Sequence, residues 1–348
     1  MRKVALLSLL ALTFLPFSAG AFENARLAYE KAKAFEEKED IQNALLWYKK
    51  SAKLGLEEKQ QKEPSTVQQK MLYDETKRVK NIEKNYISTL NKYDNNETQS
   101  SVEQILSSSF DIQPYKMNYL LPFTYNKTEH IDRKNSETKF QVSFKKNLLQ
   151  NFFGFDEGLF VAYSQTSWWQ TSAQSTPFRE TNYAPEIFML FPYGEKESPL
   201  KAYKIGLLHE SNGQDEEKSR SWNRIYAQGF FQLGEFLVSP RFWYRLPERD
   251  KINLADKNGD DNPDIYKYLG YGDISISYPW GSHFFTLLVK NNFDFVDKNR
   301  GAVQFDWTFP LFGKDMFGFI QLYSGYGESL IDYNKRNDKI GIGFAISR

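Results

Sequence analysis

His209 and Ser211 stand two residues apart in the run Tyr203 to Arg224, YKIGLLHESNGQDEEKSRSWNR, and Asn223 follows across a polar loop. On a β-strand, residues i and i+2 point to one face, so the imidazole and the hydroxyl lie side by side. That is a base next to a nucleophile. Stepping back from Ser211 in twos gives His209, Leu207, Ile205 and Tyr203, while the other face carries Lys204, Gly206, Leu208 and Glu210. Beyond the loop, Asn223 runs on in twos to Ile225, Ala227 and Gly229. A hairpin of the two strands would set Asn223 across from His209 on the apolar face. An amide there could orient the imidazole and fix its tautomer, the role of the carboxylate in Ser-His-Asp enzymes, without adding charge. A neutral orienter suits a lipid-facing site, where an isolated carboxylate is costly to desolvate. Spacing alone leaves two readings open, a hydrolytic triad and a polar strand end.

Other chemistries find less support. The chain has no cysteine, which excludes disulfides, thiolate metal sites and cysteine nucleophiles. Its three histidines, His130, His209 and His283, are far apart and none has HExxH spacing, which argues against a multi-histidine zinc site. The stretch Asp256 to Asp264, DKNGDDNPD, looks at first like a calcium loop, but it lacks the glycine at position six and the glutamate at position twelve of an EF-hand. It reads as a solvated hairpin loop. Basic and acidic residues are nearly equal and interspersed, with a net charge of +1, so no nucleic acid partner is expected. Gln165 shares a face with Val161, Tyr163 and Trp169, and a glutamine turned toward lipid needs a polar partner or the water at the rim.

The elements that must position these residues follow from periodicity. Arg2 and Lys3, the apolar run Val4 to Phe17 and the small residues to Ala21 predict a signal peptide over 1–21. Spacings of three and four then predict a helical region over 22–95, with Asp40 capping a second helix and Gly55 ending it. Ala28, Ala32, Ala44, Trp47, Tyr48 and Ala52 hold packing positions similar to those of a single tetratricopeptide or Sel1-like hairpin, which reads either as a surface for a partner the sequence does not identify or as a helical cap or spacer with none. A polar linker spans 96–112. From about residue 113 the period becomes two. Twelve candidate strands follow, at about 115–125, 137–148, 158–169, 182–192, 201–212, 220–233, 235–247, 264–279, 282–294, 300–311, 315–327 and 338–347. An even number of long, aromatic-rich strands behind a signal peptide, with 29 Phe and 21 Tyr and no 18-residue apolar run, predicts an all-β, 12-stranded antiparallel transmembrane barrel over 113–348. Long loops at 170–181, 213–219 and 248–263 alternate with shorter ones near 193–199, 234 and 280, which would place the long ones outside the cell and the helices in the periplasm. Lys204, Glu210 and Arg224 would fill the narrow lumen.

The run His209-x-Ser211-Asn212-Gly213, followed by Ser219-Arg220-Ser221-Trp222-Asn223-Arg224, resembles the active-site segment of the outer membrane phospholipase A family. Ser175 to Tyr183, the DDNPDI run at Asp260 to Ile265 and Tyr323 to Asn334 resemble it too, so the likeness covers about 113–348 and leaves out the helices. It implies a calcium-dependent (Ca²⁺) phospholipase of the A1/A2 type, a homodimer when active. Ser211 would be the nucleophile, His209 the base and Asn223 its orienter, with a backbone N–H near Gly213 at the oxyanion. Calcium would be held by the Gln214 carbonyl, the Ser219 hydroxyl and the carbonyl of Ser175 of the partner subunit. Asp261 would serve a secondary calcium site, and Gln165 would lie in the dimer interface. The chain departs from the family in having Gln214 where Arg is frequent, and in an aromatic, Phe344, displaced inward from the C-terminus. A carbonyl ligand tolerates the first change. The rival from another class is a non-enzymatic barrel, a small channel or an anchor for the helices.

Overall fold

The computed structural model describes residues 19–38, 40–62, 111–193, 198–253, 256, 259–296, 298–312 and 316–347. Two compact units divide the chain, Met1–Lys77 and Arg78–Arg348. In the first, α1 (Ala19–Glu36) and α2 (Ile41–Lys62) form a hairpin. Asp40 caps α2 as expected: the Asn43 N–H donates to its carboxylate at 3.3 Å, and the Ala44 N–H to its carbonyl at 3.0 Å. Ala28, Ala32 and Ala44 are buried at the seam, small enough to let the helices approach. Two expectations fail here. Gly55 does not end α2, because one glycine costs only about 1 kcal/mol and the helix formers around it carry on to Lys62. Ala52 is exposed, since eight residues at about 100° each leave it roughly 80° away from Ala44. The leader, 63–95 of the helical region and 96–110 of the linker lie outside the described residues, apart from Ala19 to Ala21, which open α1.

The second unit is one antiparallel sheet made of β1 (Ile112–Pro114), β2 (Asn118–Asn126), β3 (Ser136–Gln150), β4 (Gly158–Trp169), β5 (Phe178–Pro192), β6 (Leu200–Ser211), β7 (Ser221–Leu233), β8 (Phe236–Arg245), β9 (Gly272–Trp280), β10 (His283–Asn291), β11 (Gly301–Phe312), β12 (Met316–Tyr326) and β13 (Arg336–Ser347). Each strand from β2 to β13 pairs with the next, and β13 closes on β2. The three residues of β1 only continue the β2 edge, pairing at Ile112↔Lys146 where β2 starts at Tyr119↔Gln141. The barrel therefore has twelve staves, and among the described residues no strand of the closed ring is left with a free edge.

The expected strand at 264–279 is wrong at its start. A short helix, α3 (Tyr266–Leu269), precedes β9, and Gly270, at φ 69°, turns the chain out of it. Alternating Tyr266 and Tyr268 mimic a strand, yet Ile265 and Leu269 are buried in one cluster with Leu330 and Tyr333. Residues 178–181 belong to β5 rather than to the loop before it. The long connections, 127–135, 170–177, 212–220, 246–271, 292–300 and 327–335, lie at one end of the barrel, opposite the shorter turns such as 234–235 and 281–282.

Parity sorts the side chains. On β6, Tyr203, Ile205 and Leu207 face out while Ala202, Lys204, Gly206 and Leu208 are buried. The lumen is packed with paired charge. Toward the long loops Glu137 accepts from Arg179 at 2.9 Å, Lys339 at 2.6 Å and Gln170 at 2.8 Å, and Arg179 also reaches Asp332 at 2.7 Å. Arg224 pairs with Glu210, as the sequence led one to expect of the lumen.

Candidate active site

The β6–β7 hairpin sets His209 opposite Asn223 and Ser211 opposite Ser221 in the ladder. His209 Nδ1 lies 2.8 Å from Asn223 Oδ1. Asn223 Nδ2 in turn donates to Glu248 Oε1 at 2.7 Å. A carboxylate only accepts, so Glu248 forces the amide to present its oxygen to the ring. That makes Nδ1 the protonated nitrogen and leaves Nε2 with a lone pair, the tautomer a general base needs. Glu248 sits in the loop after β8, where strand parity says nothing; the pairing of β7 with β8, Arg224 against Arg245, brings it to Asn223.

The opposite face of the same two strands holds this geometry rigid. Trp222 is buried and donates its indole N–H to Glu210 Oε2 at 3.1 Å, while the Arg224 guanidinium lies 3.6 Å above the Trp222 ring. Trp222 also meets Trp243 edge to face at 6.2 Å. Alternate residues thus anchor in the lumen and point chemistry outward. Across the outer wall, a row of ladder partners runs Val142, Gln165, Tyr183, Ser211, Ser221. Gln165 is bonded within its own strand, accepting from the Tyr163 hydroxyl at 2.9 Å and donating to Ser167 at 3.3 Å.

Gly213 follows Ser211 with φ 63°, the left-handed turn that glycine adopts at little cost, and a Cβ there would meet the Tyr183 ring at 3.1 Å. Asn212 ties the loop down, accepting from Arg220 N–H at 2.9 Å and donating to the Lys218 carbonyl at 2.8 Å. The Gln214 side chain donates to Glu180 at 2.7 Å. Ser219 and Ser221 both donate to Asp261 Oδ2, at 2.7 and 3.1 Å, and Lys251 pairs with the other oxygen. Burial alone would raise the Asp261 pKa, but the hydrogen bonds from Lys251, Ser219 and Ser221 outweigh it and hold the carboxyl below its ordinary value. Ser175, at φ 62° in the exposed loop before β5, is joined to none of these by a hydrogen bond or ion pair among the described residues. The structure therefore gathers His209 with Asn223, places Ser211 beside them, and links Ser219 with Asp261. Ser175 remains apart, and no group of three or more His, Asp or Glu that could hold a metal occurs among the described residues.

The arrangement can take a proton from a serine and deliver the alkoxide to an ester carbonyl at a lipid surface. Comparison with known proteins agrees in kind. The family described as Phospholipase A1 matches residues 94–346. The Phospholipase A1 of Escherichia coli K12 is 34% identical over 254 residues, covering 68% of this chain and 82% of that one. A Putative phospholipase A1 of Neisseria meningitidis is 36% identical over 67% of this chain, which spans 64% of that protein's length. Among solved structures, outer membrane phospholipase A from Escherichia coli is 34% identical with a TM-score of 0.61, covering 68% of this chain and 99% of that one. The outer membrane phospholipase of Salmonella typhi, a dimer with bound calcium, is 32% identical with a TM-score of 0.62, covering 71% of this chain and 96% of that one.

Proposed function

The chain belongs to the phospholipase A1 family, and from that premise we propose that it hydrolyses acyl esters of phospholipids and lysophospholipids with Ser211, His209 and Asn223, as a calcium-dependent homodimer. Membership sets aside the reading of the barrel as a non-enzymatic channel or anchor. The barrel fold and the outer membrane relatives place it in the outer membrane. The periplasm is the proposed site of the helical region, whose partner is open.

The observation that carries the reading is the hydrogen-bonded chain Glu248–Asn223–His209 beside Ser211 on the outward face. Ser211 Oγ attacks the ester carbonyl as His209 Nε2 takes its proton. The tetrahedral oxyanion accepts from the backbone N–H at Gly213. His209 then returns the proton to the departing alcohol, and water deacylates Ser211 by the reverse route to release the fatty acid. Because Glu248 acts only through Asn223, its loss should be partial: Glu248→Ala is expected to lower kcat on the order of 10-fold with KM little changed. An unchanged kcat would remove it from the machinery.

The Ser219 hydroxyl and the Gln214 carbonyl are hard oxygen donors that suit calcium, with the carbonyl of Ser175 of the partner subunit completing the set, and the Asp261 carboxylate would serve a secondary calcium site. When bound, the ion would polarise the ester carbonyl. Fatty acid release from mixed phospholipid–detergent micelles should fall to background with chelator and recover with added calcium. Ser219→Ala should need at least about 10-fold more calcium for half-recovery and bind terbium correspondingly more weakly. Release that ignores chelation would defeat the metal requirement.

For the dimer we assign Gln165, in the same outer row as Ser211, to the contact between copies. A glutamine in hydrocarbon gains by pairing with its own symmetry mate. Gln165→Ala should reduce the dimer fraction in detergent severalfold by analytical ultracentrifugation with calcium and substrate present. The same fraction in both proteins would put the interface elsewhere.

A further inference from the structure

A cavity of about 360 Å³ occupies the lumen half nearest the short turns, within the ~300–1,000 Å³ range of ligand pockets. Among the described residues its wall carries Lys116, Lys145, Lys201, Lys204 and Arg241 and one carboxylate, Asp273. Arg241 is committed to Asp273, and Lys116 to Glu186, 3.6 Å away. Glu186 also accepts from the Tyr226 hydroxyl at 2.7 Å. Even with Glu186 included, Lys116, Lys201, Lys204 and Arg241 face two carboxylates among the described residues. Lys204, 5% exposed, has no carboxylate within 4.0 Å among the described residues. Its ammonium donates to the Tyr115 hydroxyl and rests over the rings of Phe188 at 4.6 Å, Tyr115 at 4.8 Å and Tyr226 at 5.4 Å. Aromatic faces soften but do not cancel a buried charge. The rest of the wall is mostly apolar, with Leu190, Phe231, Leu237 and Leu288 among it, interrupted by Gln228, Ser239, Ser275 and Ser277.

We propose that this cavity binds one amphipathic anion, its headgroup on the Lys204 and Lys201 ammonium groups and its acyl chain against the apolar wall. A free fatty acid and a phosphate-bearing single-chain lipid share that chemistry. The site is separate from the outward-facing triad: Lys201 lies next to the start of β6 and Ser211 ends it, ten residues on, roughly 33 Å along the strand at about 3.3 Å per residue. The ligand's headgroup supplies an anionic partner for Lys204, which has none among the described residues.

Calorimetric titration of the whole protein in dodecyl maltoside with decanoate and with decyl phosphate tests this, using decanol and inorganic phosphate as tail-only and head-only controls. At least one of the two amphipathic anions should bind saturably near one per chain, and each control at least 10-fold more weakly; the stronger of the two anions identifies the headgroup. Lys204→Met, which keeps the side-chain bulk and removes the charge, should weaken that binding at least 10-fold without lowering the melting temperature. Ser211→Ala should bind as the wild type does. Binding of neither anion, binding indifferent to Lys204→Met, or binding lost in Ser211→Ala would overturn the proposal; the last would mean that the anion sits in the triad cleft.

Discussion

Ser211→Ala is expected to cut phospholipid hydrolysis on the order of 10⁴-fold or more while the barrel stays folded, because the nucleophile is lost and only the oxyanion donor and substrate binding remain. Ser211 pairs with Tyr183 and Ser221 through the ladder, which alanine preserves, and its side chain is not buried in the lumen. The measurement is fatty acid release from mixed micelles with calcium present, next to the melting temperature of each protein. Asn223→Ala should be milder, on the order of 10²-fold, since the imidazole survives but its tautomer is no longer imposed. A Ser211→Ala protein that still releases fatty acid at a tenth of the wild-type rate would end the serine mechanism.

Glu137→Ala should be the most damaging single change to stability, about 3–5 kcal/mol, because it breaks a buried ion-pair network from one side. The Glu137 carboxylate is 3% exposed and takes Arg179, Lys339 and Gln170 at once. Its removal leaves Arg179 with only Asp332 and Lys339 with only Glu328 among the described carboxylates. Both cations remain in the lumen with their mutual repulsion no longer screened. Urea unfolding in detergent, followed by tryptophan fluorescence, should show the midpoint shift. Glu137→Gln, which retains acceptor capacity without charge, should fall between Glu137→Ala and the wild type. If Glu137→Ala unfolds at the wild-type midpoint, the network is not a source of stability.

Much of this was legible in the sequence because the physics of a barrel wall is two-periodic. Tyr203, Ile205, Leu207, His209 and Ser211 share a face by counting alone, and the register that sets Asn223 against His209 follows once the loop between them is closed as a hairpin. What escaped lies where no period operates. Tyr266 to Leu269 is too short a helix to show a 3.6 repeat, and its tyrosines alternate as a strand's would. Glu248 acquires its role from a contact 25 positions from Asn223, made in a loop. The pairing of Asp261 with Ser219, Ser221 and Lys251 joins three separate stretches of chain and has no local signature. In the helical hairpin the same rule held for Ala28, Ala32 and Ala44 but misplaced Ala52, for which the angle around the axis counted rather than the residue type.

Because His209 and Ser211 lie on the outer wall with Ile205 and Leu207, the surroundings of the site in an outer membrane are themselves made of potential substrate. Such a site meets its substrate within the plane of the membrane rather than from solution, so wherever phospholipid lies beside it a tighter or weaker grip on lipid changes little. Restraint has to act on the turnover step, through whatever completes or withholds the groups around the serine. The arrangement turns the usual order of enzyme control around: beside phospholipid admission is open, and competence is what is rationed.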